Sequence, residues 1–397
     1  MGQFESISRG NKEECALIAH ELDTMAANCR IMNFSQAKHV YRYLTGIIHP
    51  SDMNRKSVSA VSEESTSPCN QSSLNRFLND NRLLVTGINN SRIQRMATPN
   101  NNRFLVIDDT ILEHPYGENI EGVGRFWDSA DKRWILGHNV VTSMAVNEDE
   151  VEPLDIGLYL KKEQAKKNGA VFRTKIEIAV EMIRARATAL QVLGILFDSW
   201  YLCEKIMAIC KKHRLYWYSD VRSNRTVYLP EADQKFNVLV LAKSLPDSVF
   251  KAVELPDSWK KYTRMAEKEV ILKGNRTKAR KIKLVILWDG RDDSDSFKFL
   301  ATNDLSIDGV RLVQIRKLRW KIEEFHRDAK QNLGMADCML RKYDGVVIHL
   351  LLVLLAYSVL KRLLASALKG VADTVGEACR YLKRQAMRTR YSVHAGS

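Results

Sequence analysis

The sequence predicts a mixed α/β chain organised on one sheet, preceded by a helical module and interrupted by a β-strand insertion. Three observations predict it. The first hundred residues carry helical periodicity, as in "EECALIAHELDTMAA" and "AKHVYRYLTGII". From Arg103 the texture changes to strands, "RFLVIDDT", "HNVVTSMAV" and "PLDIGLYL". The helix "KIEIAVEMIRARATAL", the strand "QVLGILFDSWY", the helix "LCEKIMAICKKH" and the strand "LYWYSD" follow. That order is the pattern of a mixed sheet flanked by helices. From about Arg222 to Ile307 strands and loops dominate, and helix resumes near Val310.

Taken in order, residues 1–100 read as the helical module. The polar stretch "SDMNRKSVSAVSEESTSPCNQSS" inside it reads as a linker, and Ser72 or Ser73 as the N-cap of the next helix. Residues 101–221 form the first part of the core. Residues 222–309 form the insertion, with "KFNVLVLAK", "AEKEVILKG", "KIKLVILWDG" and "FKFLATND" as strands and "KGNRTKARKIK" as a basic hairpin tip. Residues 310–370 return to core helices, and 371–397 form a basic tail containing "RYLKRQAMRTRY". "GVGR" at Gly122–Arg125 is too short for a nucleotide loop and reads as a turn.

The chain has 397 residues, 45% of them hydrophobic, enough for two or three domains and substantial cores. Lys plus Arg is 61 and Asp plus Glu 47, a net charge of +14, which favours a polyanionic partner, nucleic acid before membrane. The seven cysteines include no CxxC pair, which points to reduced thiols in a cytoplasmic protein and against a zinc ribbon. "MGQFESISRGNKEE" lacks the apolar core of a signal peptide. Val346–Leu360 is uncharged for 15 positions, short of a bilayer span, and reads as a buried helix.

Two aspartates draw attention because they close apolar strands. Asp109 ends "RFLVIDDT" and Asp198 ends "LGILFD", at the edge of the sheet where open α/β folds bind ligands. A turn at "DDT" and a helix cap at Asp198 explain each of them equally well. A third acid, Glu323, lies in "RWKIEEFHRDAKQNLG", where Arg319, Glu323, His326 and Lys330 share one helical stripe. A solvated salt-bridge face would produce the same stripe. Two aspartates and a glutamate together supply the oxygen ligands of two divalent cations and point to phosphoryl transfer. No Ser-His-Asp or Cys-His set suggests nucleophilic catalysis.

The helix "RKLRWKIEEFHRDAKQNLG" resembles the glutamate-bearing helix of insertion-sequence DDE transposases of the Tyr-Arg-Glu-Lys signature class. Arg319, Glu323 and Lys330 fall at the signature spacings, and Arg316 occupies the tyrosine slot. "VIDDT" and "LFDSWY" resemble the two aspartate strands, with the acid directly before the threonine preferred. The resemblance implies an RNase H-like core, a DNA-binding N-terminal region and a homodimer on paired transposon ends. It makes Asp109, Asp198 and Glu323 the catalytic and metal-binding residues, with two Mg²⁺ ions that Mn²⁺ can replace. Arg316, Arg319 and Lys330 are then expected on DNA phosphates, with Arg222, Arg225, Lys278 and Arg280 along the DNA track and Asp108 and His326 in supporting positions. The expected partners are double-stranded DNA, both terminal inverted repeats and target, with no membrane, in the nucleoid of a prokaryotic cytoplasm. Of the tryptophans, Trp288 lies upstream of "FKFLATND", which offers only Phe297 and Phe299 for holding a flipped base. Two competing readings are a DNA-binding protein without catalysis and an RNase H-like nuclease that cuts without joining.

Overall fold

A computed structural model describes residues 2–8, 14–26, 32–49, 56–64, 70–96, 102–129, 131–167, 169–272, 280–291, 293 and 296–394. Six helices come first: α1 (Gln3–Ser8), α2 (Glu14–Ala26), α3 (Phe34–Ile48), α4 (Val58–Glu64), α5 (Gln71–Asp80) and α6 (Arg82–Arg95). The polar stretch expected as a linker therefore contains α4, while its residues 51–55 and 65–69 lie outside the described residues. The N-cap of α5 is Asn70, not Ser72 or Ser73; its side chain accepts the Ser72 N–H.

The sheet opens with β1 (Phe104–Glu113), β2 (Gly124–Asp128), β3 (Arg133–Val146) and β4 (Val151–Tyr159). Two helices, α7 (Lys162–Lys167) and α8 (Lys175–Arg186), lead to β5 (Gly194–Phe197), α9 (Glu204–Lys212) and β6 (Tyr216–Asp220). The strand order β4-β3-β1-β5-β6 has β1, β5 and β6 parallel, with β3 antiparallel to β1 and β4 antiparallel to β3. This is the RNase H-like mixed sheet.

The segment after β6 extends this sheet. It contains β7 (Thr226–Leu229), β8 (Gln234–Asn237), α10 (Val238–Ser244), β9 (Lys251–Ala252), β10 (Arg264–Leu272), β11 (Arg280–Trp288) and β12 (Phe297–Thr302). β12 pairs antiparallel with β6, and the order continues β12-β11-β10-β7-β8. "KFNVLVLAK", expected as a strand, divides at Asn237, whose side chain accepts the Leu239 N–H and starts α10. The tip between β10 and β11, including Lys278, lies outside the described residues.

Four helices complete the chain: α11 (Gly309–Lys317), α12 (Trp320–Asn332), α13 (Tyr343–Ala365) and α14 (Val375–His394). The sheet is covered on both faces. Val106, Leu196 and Tyr218 join the core beneath α12 and α13, while Leu105, Ile107, Ile195 and Trp217 join the core beneath α8 and α9. Helix α13 is long and apolar enough to cross a membrane, but 83% of its apolar stretch is buried inside the protein. It is wrapped by α2, α3, α5, α6, α14 and β4, which explains why it is apolar all round. His349 in its middle is satisfied by the Tyr43 hydroxyl at 2.7 Å and the Gly334 carbonyl at 3.0 Å.

Candidate active site

Side chains alternate across a strand, so the two β1 aspartates face opposite ways. Thr142 pairs with Asp108, and the Thr142 hydroxyl lies 2.7 Å from His326 of α12. Two residues on, Thr110 accepts from the Lys330 ammonium at 2.7 Å. Asp108 therefore faces α12. Asp109 faces the other layer, where it accepts from Lys175 of α8 at 2.8 Å and from the Tyr201 hydroxyl at 2.9 Å.

The parallel pairing aligns a row of acids on the α12 side. Val106 pairs with Leu196, and Phe197 with Ser219. Continuing those registers brings Asp198 opposite Asp108 and Asp220 opposite Asp198. Alternation from Leu196 and Tyr218, both in the α12-side core, puts Asp198 and Asp220 on the same face as Asp108. The row sits where β5 and β6 end, and neighbouring strands are about 4.8 Å apart.

Arginines from α11 and the start of α12 reach into this row. Arg319 binds Asp108 and Glu323 together through its two terminal nitrogens. Arg316 forms a buried pair with Asp220, whose other carboxylate oxygen takes Lys298 at 3.2 Å. Burial pushes the Asp108 carboxyl up to about 7; Arg319 pulls against this, and Asp198 and Asp109 add repulsion. Burial also raises Asp198, although its carboxylate accepts the N–H groups of Trp200 and Tyr201. For Asp220 the penalty of burial is more than offset by Arg316, Lys298 and Arg319, and its carboxyl stays below the usual range.

Several expectations need correction. Arg316 is buried on Asp220 and does not present its guanidinium to a phosphate. His326 is buried on Thr142 and held down to about 3 by burial, so it is a neutral packing group that tethers α12 to the strand beside Asp108. Asp198 does not cap α9; it holds the turn at Trp200 and Tyr201. Asp109 is not brought together with Glu323, whereas Asp108 is joined to it through Arg319. Arg222 is exposed and Arg225 half-buried in the turn after β6, beside the acid row, and Arg280 begins β11. Sequence reasoning missed Asp220, although "LYWYSD" is a third strand ending in aspartate. It also missed Lys175 and Tyr201, which carry no signal in the sequence.

Among the described residues, no three His, Cys, Asp or Glu side chains converge closely enough to hold a metal ion. Arg319 stands between Asp108 and Glu323, which keeps those two apart from a common point. The donor chemistry nonetheless fits a hard divalent cation. Asp108 and Asp198 are half-buried carboxylates on neighbouring strands, hard oxygen donors of the kind such an ion takes.

No curated protein matches the chain in sequence. A structural comparison matches a piggyBac transposase synaptic complex with hairpin DNA, solved by cryo-EM. The identity is 10% and the TM-score 0.48, over 98% of this chain and 80% of that one. The family model of the DDE superfamily endonucleases matches residues 31–238, more than half of the chain and both aspartate strands. The chain belongs to the DDE superfamily endonuclease family.

Proposed function

We propose that this protein is a DNA transposase, which cleaves the ends of its element and joins them to target DNA by in-line attack on phosphates. The carrying observation is one constellation: Asp108 and Asp198 in register on neighbouring strands, with Glu323 tied to Asp108 through Arg319. In this reading Asp108, Asp198 and Glu323 hold the divalent cations, with Mg²⁺ the natural ion and Mn²⁺ a substitute. A pair of such ions would activate the attacking oxygen and stabilise the leaving one. Asp108 replaces Asp109 in the set because Asp109 is committed to Lys175 and Tyr201 on the opposite face.

The remaining chemistry belongs to the chain itself. Arg319 makes two charge-assisted contacts, and a DNA phosphate offers it an alternative partner of the same sign. Lys330, one turn of the same helix beyond His326, supplies a second cation at the rim. Asp220 keeps Arg316 fixed, so the α11–α12 junction holds Arg319 at one height over the acid row. Duplex DNA is the partner, and a homodimer would hold two ends together.

A supercoiled plasmid carrying the DNA that brackets this gene tests the reading. With Mg²⁺, the wild type excises the segment and joins it to a target. Asp108→Asn, Asp198→Asn and Glu323→Gln each lose cleavage by at least about a hundredfold, while gel-shift affinity stays within about threefold. Asp109→Asn loses about tenfold or less, because it removes an orienting contact rather than a ligand. Cleavage by any of the first three at the wild-type rate would refute the assignment. Cutting without joining would reduce the protein to a nuclease.

A further inference from the structure

The connection from β4 to α8 is basic and exposed. Tyr159 at the end of β4 pairs with Asn139, which pairs with Ile111 of β1. The chain therefore leaves the sheet beyond Asp108 and Asp109, on the side where β1 ends. Between Lys161 and Lys175 it carries six cations and one acid, Glu163. Three of the cations have assigned work: Lys161 lies over the Phe126 ring at 5.3 Å, Arg173 pairs with Glu181, and Lys175 binds Asp109. Lys162, Lys166 and Lys167 are exposed and have no ion-pair partner among the described residues. Three unpaired like charges within two turns repel one another, and an external polyanion would relieve that repulsion.

The same segment ends in an exposed apolar tip. Val171 is 84% exposed and Phe172 37%, with the Phe172 ring braced against Tyr159 at 6.5 Å. Beyond the tip, Lys175 stacks at 4.4 Å over the half-exposed Trp200, two residues after Asp198. The lysines and the apolar tip thus follow one another along a connection that starts against β2 and β4 and ends at Lys175, on Asp109 and Trp200.

We propose that α7 and the tip that follows it, residues 169–175, act as a DNA clamp. Lys162, Lys166 and Lys167 neutralise backbone phosphates of duplex that runs on from the candidate active site, and Val171 and Phe172 press against the groove wall. The inference rests on the function proposed above. It adds a phosphate-binding element outside the acid row and outside α12.

Fluorescence anisotropy with a labelled random-sequence duplex of about 30 base pairs tests it, since the phosphate term is independent of sequence. Binding is titrated against salt. For the triple variant K162Q/K166Q/K167Q, the slope of log affinity against log salt becomes shallower by about 2.7, the value for three lost phosphate contacts. The variant V171S/F172S weakens binding and leaves that slope unchanged. Both sets of side chains are at the surface, and circular dichroism melts at the wild-type temperature show that each variant folds. If the wild type binds and the lysine variant keeps its slope, the clamp is wrong while the transposase reading stands. If the wild type fails to bind duplex DNA, the functional reading falls first and takes the clamp with it. If the lysine variant instead loses binding to phosphatidylserine vesicles with its DNA slope intact, the segment is a membrane contact and the clamp is overturned.

Discussion

At the scale of single residues, the two adjacent aspartates of β1 perform different tasks because a strand alternates. Asp108 carries an uncomfortable charge: burial, Asp198 and Asp109 raise its pKa from an ordinary carboxylate value to about 7. In the unfolded chain it ionises near 3.9. The folded state therefore binds this proton more tightly, and stability is lost as pH rises from about 4 to about 7 and then levels off. Asp108→Asn removes that loss. Urea unfolding should find the variant more stable than the wild type by roughly 1–3 kcal/mol at pH 8, with the gap closing toward pH 4. A gap that stays constant or widens on acidification would mean that Asp108 is not strained. In the sequence Asp109 is preferred from the resemblance alone, since nothing in the residues themselves separates it from Asp108. Leu105, Val106 and Ile107 form an unbroken apolar run because β1 is buried on both faces, so no polar alternation marks which side is which.

At the scale of elements, pairing partners and caps decide what periodicity leaves open. The RNase H-like strands, the glutamate helix and the apolar α13 were all legible, because each carries its own pattern. The start of α10 within "KFNVLVLAK" was not, because a short apolar run satisfies both periods and only the Asn237 cap divides it. Nor was the anchor that fixes the helical module to the core. Arg92 of α6 is fully buried, and its guanidinium meets Glu152 of β4, Ser358 of α13, the Asn89 side chain and the Pro153 carbonyl. One side chain thus ties three elements together, and removing it strands the Glu152 carboxylate in a dry interior. Arg92→Ala should destabilise the protein by about 3–5 kcal/mol. Arg92→Met together with Glu152→Leu should recover most of that loss, because an apolar pair leaves no buried charge behind. Equal thermal melts for Arg92→Ala and wild type would show that the network contributes nothing to stability.

At the scale of the whole molecule, burial holds His114, His138, His326 and His349 neutral. Burial depresses His114 and His326 to about 3 and His349 to about 4, and lowers His138 as well. The rings of His114 and His138 lie edge to face at 4.8 Å, so protonating either one would put charge against a second buried ring. Unfolded, all four would titrate near 6.5. Between about pH 6.5 and pH 4 the unfolded chain therefore binds more protons than the folded one, and stability falls as pH falls. Each histidine contributes a slope of up to about 1.4 kcal/mol per pH unit. Asp108, Asp198 and Asp328, raised rather than lowered, tilt the other way and cancel part of it. The four histidines outnumber these acids, which predicts lower stability at pH 5 than at pH 6.5. Urea midpoints at those two pH values in constant salt measure it, and stability that is unchanged or higher at pH 5 would contradict the prediction. The same comparison with Asp108→Asn should show a steeper acid loss than the wild type, because the variant keeps all four histidines and discards one of the groups that oppose them.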